Sequence, residues 1–133
     1  MKFSTKTTYG LRALIFLAKQ PQGRKTSLAT IAQAENISLK YLEIIFAALK
    51  KAGLITSVQG STGGYYLARP ASRITVYEVV KVLEKNLTIF HCINEQGQIS
   101  CSQSCHCGVS LILPKVQAAI IKTLKNLKLK QLI

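Results

Sequence analysis

Residues 38–53 read SLKYLEIIFAALKKAG, and residues 54–68 follow as LITSVQGSTGGYYLA. The first stretch has the period of a helix. Leu39, Leu42, Ile45, Phe46 and Leu49 fall on one face, and Lys40, Glu43, Ala47, Lys50 and Lys51 fall on the other. Ser38 suits the cap of such a helix, and Gly53 suits its C-terminal stop. The second stretch sets two runs of β-prone residues, 54–59 and 65–68, around Gly60-Ser61-Thr62-Gly63-Gly64. That pattern predicts a hairpin with a flexible tip.

The flanks agree with this reading. Upstream, residues from Ser27 form a short amphipathic segment with Leu28, Ile31 and Ala32 on one side, and Asn36-Ile37 make a tight turn. Two short helices in close succession, the second basic on its outer face, are a helix-turn-helix pattern, and a hairpin directly after it reads as a wing. Further out, 5–19 is predicted to be a helix through Tyr9, Ala13, Phe16 and Leu17, ended by Pro21 and Gly23. Thr75 caps another helix through Glu84, with Val76, Val79, Val80 and Leu83 inward. Pro114 opens the last helix, where Val116, Ile120, Thr123, Leu124 and Leu127 form a stripe. No further domain is visible to cover that stripe, so a second copy of the chain is expected to do so. The expected fold is mainly α with a small β-hairpin: a winged helix-turn-helix (1–85), a cysteine-rich loop (86–109) and a long C-terminal dimerisation helix (110–133).

Charge points to the partner. Eighteen Lys and Arg face five Asp and Glu, a formal +13 in 133 residues. Such a field draws polyanions, with duplex DNA ahead of an anionic membrane surface. The longest apolar run near the N-terminus, 13–18, is far short of the roughly 20 residues of a spanning helix. Without a signal-peptide pattern the chain is expected to be cytoplasmic, which also argues against a secreted disulfide-rich protein.

The chemistry of groove recognition assigns roles at the start of the 38–53 helix. Lys40 suits a guanine edge, Ser38 a phosphate or base, and Tyr41 a phosphate oxygen. Glu43 repels phosphate, so its fitting role is to accept from cytosine N4. Lys50 and Lys51 suit phosphates, which give affinity without sequence preference. Gln59, Ser61 and Thr62 at the hairpin tip complete the candidate DNA-binding set.

These motifs together resemble the Rrf2 family of winged-helix transcription factors, which includes IscR- and NsrR-like proteins. The resemblance covers nearly the whole chain. It is carried by Met1-Lys2-Phe3-Ser4-Thr5-Lys6 with Tyr9-Gly10-Leu11-Arg12-Ala13-Leu14, by Ile37-Ser38-Leu39-Lys40-Tyr41-Leu42-Glu43, by Leu49-Lys50-Lys51-Ala52-Gly53-Leu54-Ile55 and by Gly63-Gly64-Tyr65-Tyr66-Leu67-Ala68-Arg69-Pro70. It implies a homodimer on a pseudo-palindromic promoter site, joined through the last helix. One departure stands out: many members carry Arg where this chain has Gln59, and an amide contributes less to a narrow, electronegative minor groove.

All four cysteines lie in one stretch, spaced Cys92-x8-Cys101-x3-Cys105-x1-Cys107, with His91 and His106 beside them. This is neither the paired C-x2-C of a zinc ribbon nor a thioredoxin-type C-x-x-C. Cytosolic thiols stay reduced unless they bind metal or do redox work. Cys92, Cys101 and Cys107 resemble the three-cysteine loop of the family's iron–sulfur members, which implies a 2Fe–2S or 4Fe–4S cluster. The acid that serves as fourth ligand in some relatives is Thr8 here, a poor ligand. Cys105, then His106, then His91 are the candidates for that place. Zinc and a thiol–disulfide switch remain as alternatives. A thiol oxidoreductase using Cys105 and Cys107 is the enzymatic alternative, but no phosphate-binding glycine loop, acid pair or nucleophile elbow accompanies it.

Overall fold

Hydroxyl side chains start the four helices of the head. Ser4, Ser27, Ser38 and Thr75 each accept a hydrogen bond from the amide three residues on, those of Thr7, Thr30, Tyr41 and Glu78. A cap of this kind is worth about 1 kcal/mol. The computed structural model describes residues 3–100 and 108–133. In chain order these are α1 (Thr5–Lys19), α2 (Leu28–Glu35), α3 (Leu39–Lys51), β1 (Ile55–Val58), β2 (Gly64–Leu67), α4 (Val76–Glu84) and α5 (Leu113–Asn126). The strands pair antiparallel from Ile55–Leu67 to Val58–Gly64. This is the mainly helical winged helix-turn-helix expected from sequence.

Helix α3 stops where Gly53 takes a φ of +77°, which costs a glycine nothing. The Gly53 amide donates to the Lys50 carbonyl and the Leu54 amide to that of Leu49, the two bonds of a Schellman motif. The core is built on this frame. Leu14 of α1, Ile31 of α2, Leu42, Ile45, Phe46 and Leu49 of α3, Ile55 of β1 and Val79 and Leu83 of α4 make one buried cluster. Gly10 brings α1 and α4 together: a Cβ there would lie 2.2 Å from Leu83 Cδ1. Helix α4 is buried on its other side too, where Val76 and Val80 join Leu87 and Leu124 in a second cluster. It therefore links the winged head to α5. The chain end also returns to the head, as the Leu129 amide donates to the Ile74 carbonyl and the Leu129 side chain is fully buried.

Three details differ from the periodicity reading. Leu39 does not join the buried face of α3; it occupies the first turn, beyond the core, and is 44% exposed. The first strand is shorter than 54–59 and the second begins one residue before 65–68, because Gly64 pairs with Val58 and leaves 59–63 as the tip. The stripe on α5 is split. Leu124 turns into the chain's own second cluster, with Ile120 and Leu127 packed beside it, whereas Val116 stays exposed. Upstream, Val109, Leu111 and Ile112 are exposed as well, Leu111 by 72%.

Candidate functional site

Helix α3 is held to α1 by an aromatic contact, and α1 to α2 by an ion pair. The Tyr41 ring meets Tyr9 edge-on at 5.8 Å between centroids. The Arg12 guanidinium lies 5.5 Å from the Tyr9 centroid on its way to Glu35, where Nε donates to the carboxylate at 3.1 Å. A second Arg12 nitrogen donates to the Glu35 carbonyl. One arginine thus ties α1 to the end of α2, and its tyrosine neighbour packs on α3. With the frame fixed, Ser38, Lys40, Glu43, Lys50 and Lys51 are exposed, and Tyr41 is half-buried. Ser38 spends an oxygen lone pair on the Tyr41 amide at 3.2 Å, and its proton is left to donate. Ile44 joins the outer face, 54% exposed, a position the buried-face pattern assigned no role. It offers apolar contact of the kind that reads a thymine methyl.

The hairpin is fixed to α3 from beneath. Tyr65 packs edge-on against the fully buried Phe46, with centroids 5.0 Å apart. Tyr65 also exchanges backbone hydrogen bonds with Thr26, at 2.8 and 2.9 Å, which adds a third piece of extended chain. Gly64 allows that approach, since a Cβ there would stand 2.7 Å from the Thr26 backbone. At the tip, Gln59, Ser61 and Thr62 are exposed, and the Gly63 amide donates to the Gly60 carbonyl. Arg24 and Lys25 precede Thr26 and are exposed next to this sheet. The sequence holds them as an adjacent cationic pair, but nothing in it says that Thr26 would meet the wing.

Two carboxylates lock the head from behind. Glu78 accepts from the Thr75 amide at 2.9 Å and from Arg69 at 2.8 Å, tying the outgoing wing strand to α4. Burial pushes its pKa up, but the bonds from Thr75 and Arg69 outweigh that and lower it on balance. Glu84 accepts from the Ser4 amide and hydroxyl at 2.8 and 2.9 Å. Burial again acts upward, and the bonds from Thr7 and Ser4 bring the net shift down.

The described part of the cysteine loop is a small hairpin. The Asn94 amide donates to the Gln98 carbonyl, the Ser100 amide donates to that of Cys92, and Gly97 turns the chain at φ +80°. Cys92 is half-buried and lies across from Ser100, the residue before Cys101; His91 is exposed. Cys101, Cys105, His106 and Cys107 lie outside the described residues. Glu95 is the one carboxylate in 86–109, and its Oε1 accepts from the Leu87 amide. No Lys or Arg occurs in that stretch. Thr8 is exposed and its hydroxyl donates to the Ser4 carbonyl. Gln117 of α5, which carried no role in the sequence reading, is 1% exposed and bonded to this loop at three backbone groups.

A helix-turn-helix with an anchored wing and an exposed basic second helix defines a winged-helix transcriptional regulator. The Rrf2 family, described as iron-dependent transcriptional regulator, matches residues 3–133, and the chain belongs to it. Among solved structures it is similar to CymR (YrzC), the global cysteine regulator of B. subtilis, at 32% identity over 99% of this chain and 95% of that one, with a TM-score of 0.82. The oxidized form of Staphylococcus aureus CymR gives 34% identity over 99% and 95%, with a TM-score of 0.79. T. potens IscR gives 31% identity over 99% and 85%, with a TM-score of 0.75. The family consists of regulators rather than enzymes, so the thiol oxidoreductase reading finds no support. No helix among the described residues is long and apolar enough to cross a membrane.

Proposed function

We propose that this chain is a cytoplasmic, homodimeric bacterial regulator that binds promoter DNA and senses redox, iron or nitrosative state through a cysteine-ligated iron–sulfur cluster. The observation that carries the DNA reading is the exposed start of α3, held against the wing by Phe46 and Tyr65. Lys40 and Glu43 then read base edges, Ser38 and Tyr41 hold the helix on the backbone, and Lys50 and Lys51 neutralise phosphates. Gln59, Ser61 and Thr62 bring the wing tip to the adjacent groove. The exposed apolar run Val109, Leu111, Ile112 and Val116 supplies the dimer contact. The division into a winged head (1–85), a cysteine loop (86–109) and a dimerisation unit (110–133) follows from these roles.

The donor set fits a cluster. Within 86–109 there are four thiols and no cation, and the only carboxylate is engaged with the Leu87 amide. Cys92, Cys101 and Cys107 would hold the cluster, with Cys105 in the fourth place ahead of His106 and His91. When bound, it supplies one-electron redox chemistry tuned by its surroundings. The chain's own part is to fix Cys92 on an ordered hairpin and to connect that hairpin to α5. The kinship with the oxidized CymR structure favours a thiol–disulfide switch as the second reading.

Anaerobic purification separates the two. Visible absorbance that is lost in each of Cys92→Ser, Cys101→Ser and Cys107→Ser, together with altered promoter affinity, is the expected result. Cys105→Ser should match them if Cys105 is the fourth ligand, and His106→Ala should then be mild. A colourless wild type whose promoter affinity responds to a reversible disulfide would establish the switch instead.

A further inference from the structure

Buried glutamine side chains are uncommon, and when they occur their donors and acceptors are satisfied. Gln117 is an extreme case, at 1% exposure in the middle of α5. Its Oε1 accepts from the Ile89 amide at 3.3 Å. Its Nε2 donates to the Asn94 carbonyl at 2.8 Å and to the Glu95 carbonyl at 3.4 Å. The carboxamide therefore clasps the chain on both sides of Cys92, three residues before it and two after. The Glu95 carboxylate closes the same clasp by accepting from the Leu87 amide at 3.0 Å. An apolar side chain of similar volume would fill this space but make none of these bonds.

The neighbours of Gln117 on the helix give the clasp a direction. Leu124, two turns on, lies on the same face and packs against α4 with Val76, Val80 and Leu87. Val116 points about 100° away and is exposed, in line with Ile112 one turn earlier. One short rigid helix thus carries the anchor of the cysteine hairpin and, beside it, an uncovered apolar edge.

We infer that Gln117 is the positioning residue that couples the cysteine hairpin to α5. Resting on the sensing role proposed above, a change at the thiols reaches the DNA-binding head through this side chain. Ile89 and Asn94 can shift only if α5 follows or the clasp breaks, and α5 is packed on α4.

The test compares promoter affinity before and after exhaustive alkylation of the thiols, in full-length wild type and in Gln117→Leu. Alkylation should change the wild-type affinity several-fold, whereas Gln117→Leu should respond by less than about twofold while its unalkylated melting transition stays cooperative. In the same variant the Ile89 amide should exchange about tenfold faster, because it loses its acceptor. Gln117→Glu keeps an acceptor for the Ile89 amide but loses the donor and sets an oxygen against the Asn94 and Glu95 carbonyls, so it should lose the response as Gln117→Leu does. A full response in Gln117→Leu overturns the proposal, as does faster exchange spread evenly over α1 to α3, which would mark Gln117 as a general core residue. A wild type indifferent to alkylation refutes the sensing role. The exchange at Ile89 then decides the anchor alone: faster in Gln117→Leu sustains it, and unchanged overturns it.

Discussion

The winged head and the cysteine hairpin are built by different means. In the head, side chains from four helices and a strand meet in one cluster, and each helix begins with its own hydroxyl cap. In the described hairpin, Ile93 is buried but belongs to neither apolar cluster. Order there comes from hydrogen bonds: Asn94 to Gln98, Ser100 to Cys92, and the Gln117 clasp. A region held by packing is rigid whatever the state of its surface, whereas one held by a few polar contacts is re-set by small local changes. Rigidity suits a reading head, and the looser arrangement suits a sensor.

The largest expected effect breaks the head. Phe46 is fully buried and carries the wing through Tyr65. Phe46→Ala should cost about 3–5 kcal/mol in urea denaturation and lose specific DNA binding with it. Ile93→Ala makes the contrast in the hairpin. It should cost about 2 kcal/mol and show itself in faster exchange of the hairpin amides, with α1 to α3 unchanged. Equal exchange changes throughout the molecule for both variants would mean that head and hairpin open as a single unit.

A smaller effect is expected at the closest helix contact. Gly10→Ala puts a methyl 2.2 Å from Leu83 Cδ1. Leu83 sits in the core and has limited room to yield, so the cost should be about 1–3 kcal/mol in spite of alanine's better helix propensity. Pairing it with Leu83→Ala should recover part of the loss, a sub-additive double-mutant cycle. Purely additive losses would show that the two helices can separate without strain.

The two regions also differed in how far the sequence foretold them. The head was legible because its codes are local. Ser38 and Gly53 bracket a helix, the period of Leu42, Ile45, Phe46 and Leu49 picks its buried face, and Gly60 to Gly64 mark a wing tip. Misses arose where tertiary contacts decide. Leu39 has the period of a core residue but lies past the core's edge, and Thr26 joins the wing across a gap of 39 residues. The α5 stripe held the right residues for two different neighbours, α4 and an uncovered face, and periodicity alone does not separate them. Gln117 left no signal, because a glutamine on a lysine-rich helix reads as a solvated side chain. The cysteine spacing carried the sensor reading through family resemblance, since ligand spacing alone admitted several chemistries.

Acid should distinguish the regions most gently. The folded pKa values of Glu78 and Glu84 are lowered, since hydrogen bonds to their carboxylates outweigh the upward push of burial. A carboxyl with a depressed folded pKa adds stability that is fully present above its unfolded value, about 4.3, and disappears as pH falls through the folded value. Both groups serve the head: Glu78 joins the wing strand to α4, and Glu84 joins the start of α1 to the end of α4. Lowering the pH from 7 to 3 should therefore loosen α1 and the wing first. Partial exposure of both carboxylates keeps the effect modest. Glu78→Gln with Glu84→Gln should lower stability at neutral pH and flatten its decline below about pH 4.3, because fewer protons are then taken up on unfolding. Denaturation midpoints at each pH measure both quantities. If the doubly substituted protein declined in parallel with the wild type, the acid sensitivity would belong to other carboxyl groups, and the links from α4 to α1 and the wing would rest on packing alone.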